Sequence, residues 1–348
     1  MTDVHDQPDP LPTPLAETAE KAPERAWENA PETATEKAAD KVFGQPDQPT
    51  APKPRAAKKE RRKVRADRVF TEMLSAQSTA LLKELHLLTR SGDLNADARR
   101  KLKQINHFCT LLQPGIEQVL KSHDNPVFVD AGAGNGYLAF AMYEVFLARG
   151  EFGELIGLDS RADLVARATE RAGRLGFSRL SFAEAQISQA ISAVASGGHE
   201  PLVRAPNAVV ALHACDTATD DAITLGLLSD ADLIAVVPCC QTEVFGLLKG
   251  RADAGPLSAL WRTPFHRREF SAHLTNVIRC LVLEAAGYKV RATELVGWEH
   301  SLKNELIIAR KHQRRNPRAL RKLGKLLERM PPLPMKLLAS LHPTLAPA

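Results

Sequence analysis

The sequence predicts a doubly wound α/β fold with a seven-stranded, mostly parallel sheet. Three observations predict it. Between residues 126 and 311, short apolar runs alternate with segments of helical period. The first run ends in an acid and opens into a glycine-rich turn, Asp130-Ala131-Gly132-Ala133-Gly134-Asn135-Gly136. The last two runs have little between them, Gly297 to Lys303, so they pair antiparallel, whereas strands joined through helices run parallel.

The elements follow in order. Residues 1–66 are rich in Pro, Ala, Glu, Asp, Thr and Lys and poor in large apolar side chains. Burial there cannot offset the entropy of ordering, so this stretch reads as a disordered tail, acidic to residue 50 and then basic. Residues 67–122 read as a helical pre-domain. Phe70, Met73, Leu74, Leu81, Leu82, Leu85, Leu87 and Leu88 recur at helical spacing, Ser91-Gly92-Asp93 breaks the run, and a second helix covers 97–112. Residues 123–311 form the main domain. Its strands are Val127-Phe128-Val129, 154–158 ending at Asp159, Leu180-Ser181-Phe182, 208–212, 233–237, and two near 288–296 and 304–310. Helices are expected over 138–149, 161–175 and 267–286. Residues 312–348 form a basic helical extension, helical over 316–341 and interrupted by Pro331-Pro332-Leu333-Pro334.

Composition narrows the function classes. No apolar run reaches the roughly 18–20 residues needed to span a bilayer. The start, Met1-Thr2-Asp3-Val4-His5-Asp6, is acidic and lacks a signal pattern, so a cytoplasmic location is expected. The cysteines, Cys109, Cys215, Cys239, Cys240 and Cys280, are odd in number, which favours reduced thiols. The net charge of +5 hides two basic arms, 53–68 and 310–329. Such arms suit a polyanion such as RNA, and they equally suit solvated tails. Oligomeric state is not legible in the sequence.

The glycine turn carries the chemistry. A nicotinamide fingerprint needs Gly-x-Gly-x-x-Gly; here the third glycine comes one residue early and an acid ends the strand. The pattern resembles the first motif of the class I S-adenosylmethionine methyltransferases, a Rossmann-like fold. The resemblance implies that Asp130, Gly132, Gly134, Asn135 and Gly136 lie against the cofactor, with the acidic turn beside its amino-acid part. Asp159 ends the next strand, where a carboxylate can accept both ribose hydroxyls of an adenosyl group. After the third strand, Glu184 or Gln186 can reach the adenine.

Further along stand His213-Ala214-Cys215-Asp216-Thr217-Ala218-Thr219-Asp220, Pro238-Cys239-Cys240-Gln241 and Lys303-Asn304. Together with Lys103-Gln104-Ile105 they resemble one methyltransferase family. It includes the eukaryotic tRNA acceptor-stem 2′-O-methyltransferases and the proteins with a glutathione-transferase-like C-terminal domain. That family reads His-x-Cys-Gly-x-Ala-Thr-Asp, Cys-Cys and Lys-Asn. Asp216 stands where it has glycine, and the zinc-binding N-terminal modules of the tRNA enzymes have no counterpart. The resemblance implies S-adenosylmethionine as cofactor and places His213, Asp220, Cys239, Cys240, Lys303 and Asn304 at the catalytic end; Asp216 joins them there by its own position after the fourth strand.

Read from the residues alone, adjacent fourth and fifth strands bring His213, Cys215 and Asp216 near Cys239 and Cys240. His213, Asp216 or Asp220 can then serve as base for a hydroxyl or amine acceptor. The alternative for His213 is a backbone-bonded imidazole. Adjacent cysteines fit a tetrahedral zinc site poorly, so no metal is expected. Trp261, Phe265 and Phe270, among Arg262, His266, Arg267 and Arg268, suit base stacking or merely a helix start with a basic face. The leading expectation is methylation of tRNA or rRNA. Methylation of a protein or small molecule, and a non-catalytic RNA-binding or assembly factor, are the alternatives.

Overall fold

The computed structural model describes residues 73–89, 91–198, 200–239, 241–251, 255–295 and 304–345, with side chains to residue 340. The tail 1–66, the arm 53–68, Cys240 and Lys303 therefore lie outside the described residues.

One seven-stranded sheet organises the chain, in the order β3-β2-β1-β4-β5-β7-β6. The strands are β1 Val127–Ala131, β2 Glu154–Asp159, β3 Leu180–Glu184, β4 Ala208–Leu212, β5 Leu233–Val237, β6 Tyr288–Glu294 and β7 Glu305–Lys311. The first five run parallel; β7 pairs antiparallel with β6, as the short gap between the last two apolar runs predicts, and also with β5. Order reverses between β1 and β4, and that switch point opens a crevice at the carboxyl ends of the strands.

The alternation along each central strand feeds two cores. Phe128, Ala208, Val210, Leu233, Ala235 and Val237 face one layer, and Val127, Val129, Val209, Ala211, Ile234 and Val236 face the other. Each fully buried aliphatic side chain contributes about 1.5–3 kcal/mol. The first layer holds α1 (Thr79–Glu84), α2 (Ala96–Ser122), α3 (Tyr137–Met142, widening into a π turn over Tyr143–Leu147) and α4 (Ala162–Leu175). The second holds α5 (Ile187–Ala195), α6 (Thr217–Leu228), α7 (Thr242–Leu247), α8 (Pro264–Ala285), α9 (Pro317–Leu327) and α10 (Lys336–Leu345). Among the described residues no helix is long and apolar enough to cross a membrane.

Three elements depart from the sequence expectation. The helical spacing before residue 88 yields only α1. Its Ser78 cap is itself held by Glu144, and the chain leaves the helix at His86 (φ 54°) so that Leu88 can bridge Leu94. In contrast, α2 overruns its expected end by a full ten residues, through Pro114, because Ile116 and Val119 still meet the core. The C-terminal extension is not a loose arm. Ala319, Leu323, Leu333, Met335 and Leu337 are all buried in the second layer.

Candidate active site

The glycine turn leaves β1 with three residues at positive φ: Gly132 at 77°, Gly134 at 58° and Gly136 at 75°. A side chain on Gly136 would press Phe140 and Phe182 at 3.0 Å, so glycine is required there by both conformation and space. The N–H groups of Gly132 and Ala133 both donate to the Leu158 carbonyl, at 2.9 and 2.8 Å, which stitches the turn to β2. Asn135 is exposed, and its carbonyl accepts from Arg171 at 3.2 Å.

Two acids stand at this turn in opposite electrostatic states. Asp130 is 2% exposed, and its Oδ2 has no hydrogen-bond partner. Burial pushes its carboxyl up to about 7; the Ala139 N–H opposes this and the charge of Asp159 adds to it. Asp159 is the reverse case. Burial acts to raise it, but the Arg161 guanidinium and the N–H groups of Gly134 and Arg161 outweigh burial and hold it below the usual carboxylate range. Arg161 donates from Nε to Oδ1 at 2.9 Å and from its terminal nitrogen to Oδ2 at 3.1 Å, while Gly134 N–H donates to Oδ2 at 2.8 Å.

A cavity of about 580 Å³ opens over Asp159 and Arg161. Gly132, Asp159, Gln186 and His213 line it, together with Arg161, Asp221 and Lys336, which sequence reasoning did not single out. Arg161 carries a local signal, a guanidinium two residues after a strand-end acid. Lys336 carries none; it arrives from 115 positions beyond Asp221, with Nζ 2.7 Å from Asp221 Oδ2. Of the two adenine candidates, Gln186 is on the cavity wall as the cap of α5, while Glu184 pairs in register with Asp159 and is not on the wall. Asp130, Gly134, Asn135 and Gly136 belong to the same turn but do not line the cavity.

On the far side, β4 ends in a strained turn. His213 (φ 63°) is exposed on the cavity wall, with Nε2 3.4 Å from Gln104 Oε1 on α2. The thiols of Cys215 and Cys239 lie 3.1 Å apart and reach the His213 carbonyl at 3.8 and 3.7 Å. Asp216 adopts φ 50° and ψ −118°, a conformation that glycine reaches more easily. Its carboxylate accepts from Thr242 N–H at 2.9 Å, from the Thr242 hydroxyl and from Glu243 N–H at 3.3 Å, and so caps α7. Asp220 is buried against Arg279, Nε to Oδ1 at 2.7 Å; Arg279 also bonds Asn276 and the Asp216 carbonyl. Asn304 is buried, and its carbonyl accepts from Leu295 N–H at 2.7 Å, which closes the β6–β7 ladder. Trp261 is buried and packs on Phe270, whereas Phe265 is exposed.

The donor set fits an adenosyl sulfonium. Asp130 carries a buried oxygen that lacks a partner beside the turn, Asp159 presents an ionised carboxylate to the cavity, and Gly132 keeps the floor low. A methyltransferase-domain family matches residues 100–246, the stretch from α2 through the glycine turn and His213 to α7. The chain carries a methyltransferase domain. It is an S-adenosylmethionine-dependent enzyme of the class I fold. No curated protein matches it. Solved structures similar to it include an rRNA methylase from Streptococcus thermophilus, 13% identical over 58% of this chain and 95% of that one, TM-score 0.37. Magnesium protoporphyrin IX methyltransferase from Synechocystis PCC 6803, with bound S-adenosylhomocysteine, is 13% identical over 73% and 100%, TM-score 0.37. Precorrin-6y C5,15-methyltransferase from Geobacter metallireducens is 15% identical over 58% and 88%, TM-score 0.32.

Proposed function

We propose that this methyltransferase acts on RNA, of the tRNA or rRNA class, and that His213 is its general base. One observation carries the acceptor: residues 310–329 hold nine Lys or Arg side chains against one carboxylate, Glu328. Phosphate is the ligand that such a density of cations suits. The family resemblance of the His213, Cys239 and Asn304 motifs points the same way.

The cofactor supplies an electrophilic methyl group on sulfur. The chain's own residues do the rest. Asp159 takes the ribose hydroxyls, for which Arg161 gives up its place on the carboxylate. Gln186 meets the adenine edge. Asp130 gains a counter-charge from the ammonium of the amino-acid part. His213 would hold and take the acceptor's proton while the methyl group passes from sulfur to the acceptor and the thioether leaves. Asp216 holds the start of α7 and Asp220 pairs with Arg279, whereas His213 lines the cavity wall itself, which supports its role as the base. Positioning does most of the work in such an in-line displacement.

Labelled S-adenosylmethionine, purified enzyme and an extract from cells lacking the gene test the acceptor. Label is expected in ribonuclease-sensitive material; label confined to protein or small molecules would refute RNA. Replacing His213 with Ala or Asn is expected to cut turnover by about 10²–10⁴ while calorimetric binding of S-adenosylhomocysteine persists. Unchanged turnover would remove His213 from the mechanism.

A further inference from the structure

The basic stretch 310–329 is part of the folded surface, and its course across the molecule is informative. It begins at the amino end of the parallel strands, opposite the methyl-transfer cavity. There Asn316 N–H bonds the last carbonyl of α8, Ala285, at 2.9 Å, and the N–H groups of His312 and Gln313 bond the Gly287 carbonyl at 3.2 and 3.0 Å. A groove of about 550 Å³ lies at this end, lined by Lys289, His312, Arg318 and Lys322, with Glu284 its one carboxylate. From the groove, α9 packs along α8 for 11 residues, about 16 Å. The chain then delivers Lys336 to the wall of the cavity at the carboxyl end.

Arg318, Lys322, Lys325 and Arg329 recur at helical spacing and are all exposed, while Ala319 and Leu323 on the other side are buried. Like charges one turn apart repel, so the stripe weakens its own helix until a polyanion covers it. We propose that this stripe is a docking track for the phosphate backbone of the acceptor RNA, leading from the amino-end groove to the methyl-transfer cavity. The proposal rests on the RNA reading above and adds the surface that would hold the RNA. An acceptor docked this way extends well beyond the reacting nucleotide. A membrane surface fits less well, because a helix lying on lipid inserts its apolar face, and that face of α9 is already buried in the protein.

The test compares the full-length chain with the triple variant Arg318→Glu, Lys322→Glu, Lys325→Glu and with the corresponding Gln triple. A fluorescein-labelled RNA stem-loop is the probe, titrated over a range of salt. The Glu triple is expected to weaken binding by about tenfold or more, and the Gln triple to lower the slope of log affinity against log salt by about 2 to 3. Circular dichroism and calorimetric S-adenosylhomocysteine affinity should match the parent. If the triples misfold, Lys322→Glu alone is expected to lower the slope by about one. Parent-like RNA affinity and slope in the folded variants would overturn the track, and the RNA acceptor would then stand or fall on whether label enters ribonuclease-sensitive material. A parent chain with no affinity for the stem-loop, and with label entering only protein or small molecules, would overturn both. Loss of binding to phosphatidylserine vesicles, from a parent that binds them and not RNA, would assign the stripe to membranes instead.

Discussion

The two walls of the cavity use their acids in different ways. On the β1–β2 wall, Asp130 and Asp159 are held by groups within a few dozen residues of chain, and each keeps an interaction incomplete or exchangeable: a buried oxygen without a partner, and an arginine whose own side chain is 61% exposed. On the β4–β5 wall, Asp216 and Asp220 are fully engaged, one across the start of α7 and one in a closed ion pair. The first wall is poised to receive a ligand, and the second holds its own turn in a strained shape. The lesson is that an acid after a strand is defined by what reaches it, and strand-end position alone does not separate a binding carboxylate from a structural one.

The comparison is sharpest where the second wall is broken. Replacing Arg279 with Ala strands Asp220 in the interior; the loss is expected to be about 3–5 kcal/mol by urea unfolding. A loss below 1 kcal/mol would mean that the pair is not structural. On the first wall, Asp159→Asn should weaken S-adenosylhomocysteine by about 1.5–3 kcal/mol in calorimetry while melting stays near the parent value. The reverse pattern would exchange the roles of the two walls.

The pH response of Asp130 extends the contrast. Its folded pKa, about 7, lies above the ordinary carboxylate value, so the native state binds the extra proton between roughly pH 4 and 7. Stability from this group is therefore greatest at low pH and falls as pH rises through 7, by up to about 1.4 kcal/mol per unit. Asp130→Asn should flatten that part of the curve in ligand-free protein. Saturating cofactor should flatten it in the parent as well if, as proposed, its ammonium sits beside Asp130; an unchanged slope in the variant would clear Asp130 of the effect. The smallest expected effect is at Asp216. Ala there loses the α7 cap and keeps the strain, for about 1 kcal/mol of destabilisation, whereas Gly loses the cap and relieves the strain and should cost a few tenths. Equal losses for Ala and Gly would show that the positive φ carries no strain.

Much of this is legible in the sequence, for local reasons. The alternation of buried runs and helices placed all seven strands, and the short final gap fixed the antiparallel pair. The glycine turn was recognisable because three positive φ values within five residues leave little choice of side chain. What was hidden lies far apart in sequence. Helical spacing around Leu81 and Leu87 did not reveal that His86 turns the chain out of the helix, and nothing near Pro114 signalled that α2 would continue to Ser122. The basic composition of 310–329 was plain, but the buried Leu323, Met335 and Leu337 that make it part of the domain were masked by the charges around them.

By itself, then, the sequence determined the seven strands, the glycine turn and the acids that end β1 and β2, because dihedral limits and side-chain alternation act over a few residues; the strand order and its switch point came from the tertiary structure. Only the tertiary structure decided which acids face the cavity. Asp216 is claimed from 26 positions away by Thr242, Asp220 from 59 by Arg279, and Asp221 from 115 by Lys336. A carboxylate's role is set by the nearest opposite charge or donor in space, and no local pattern encodes that neighbour.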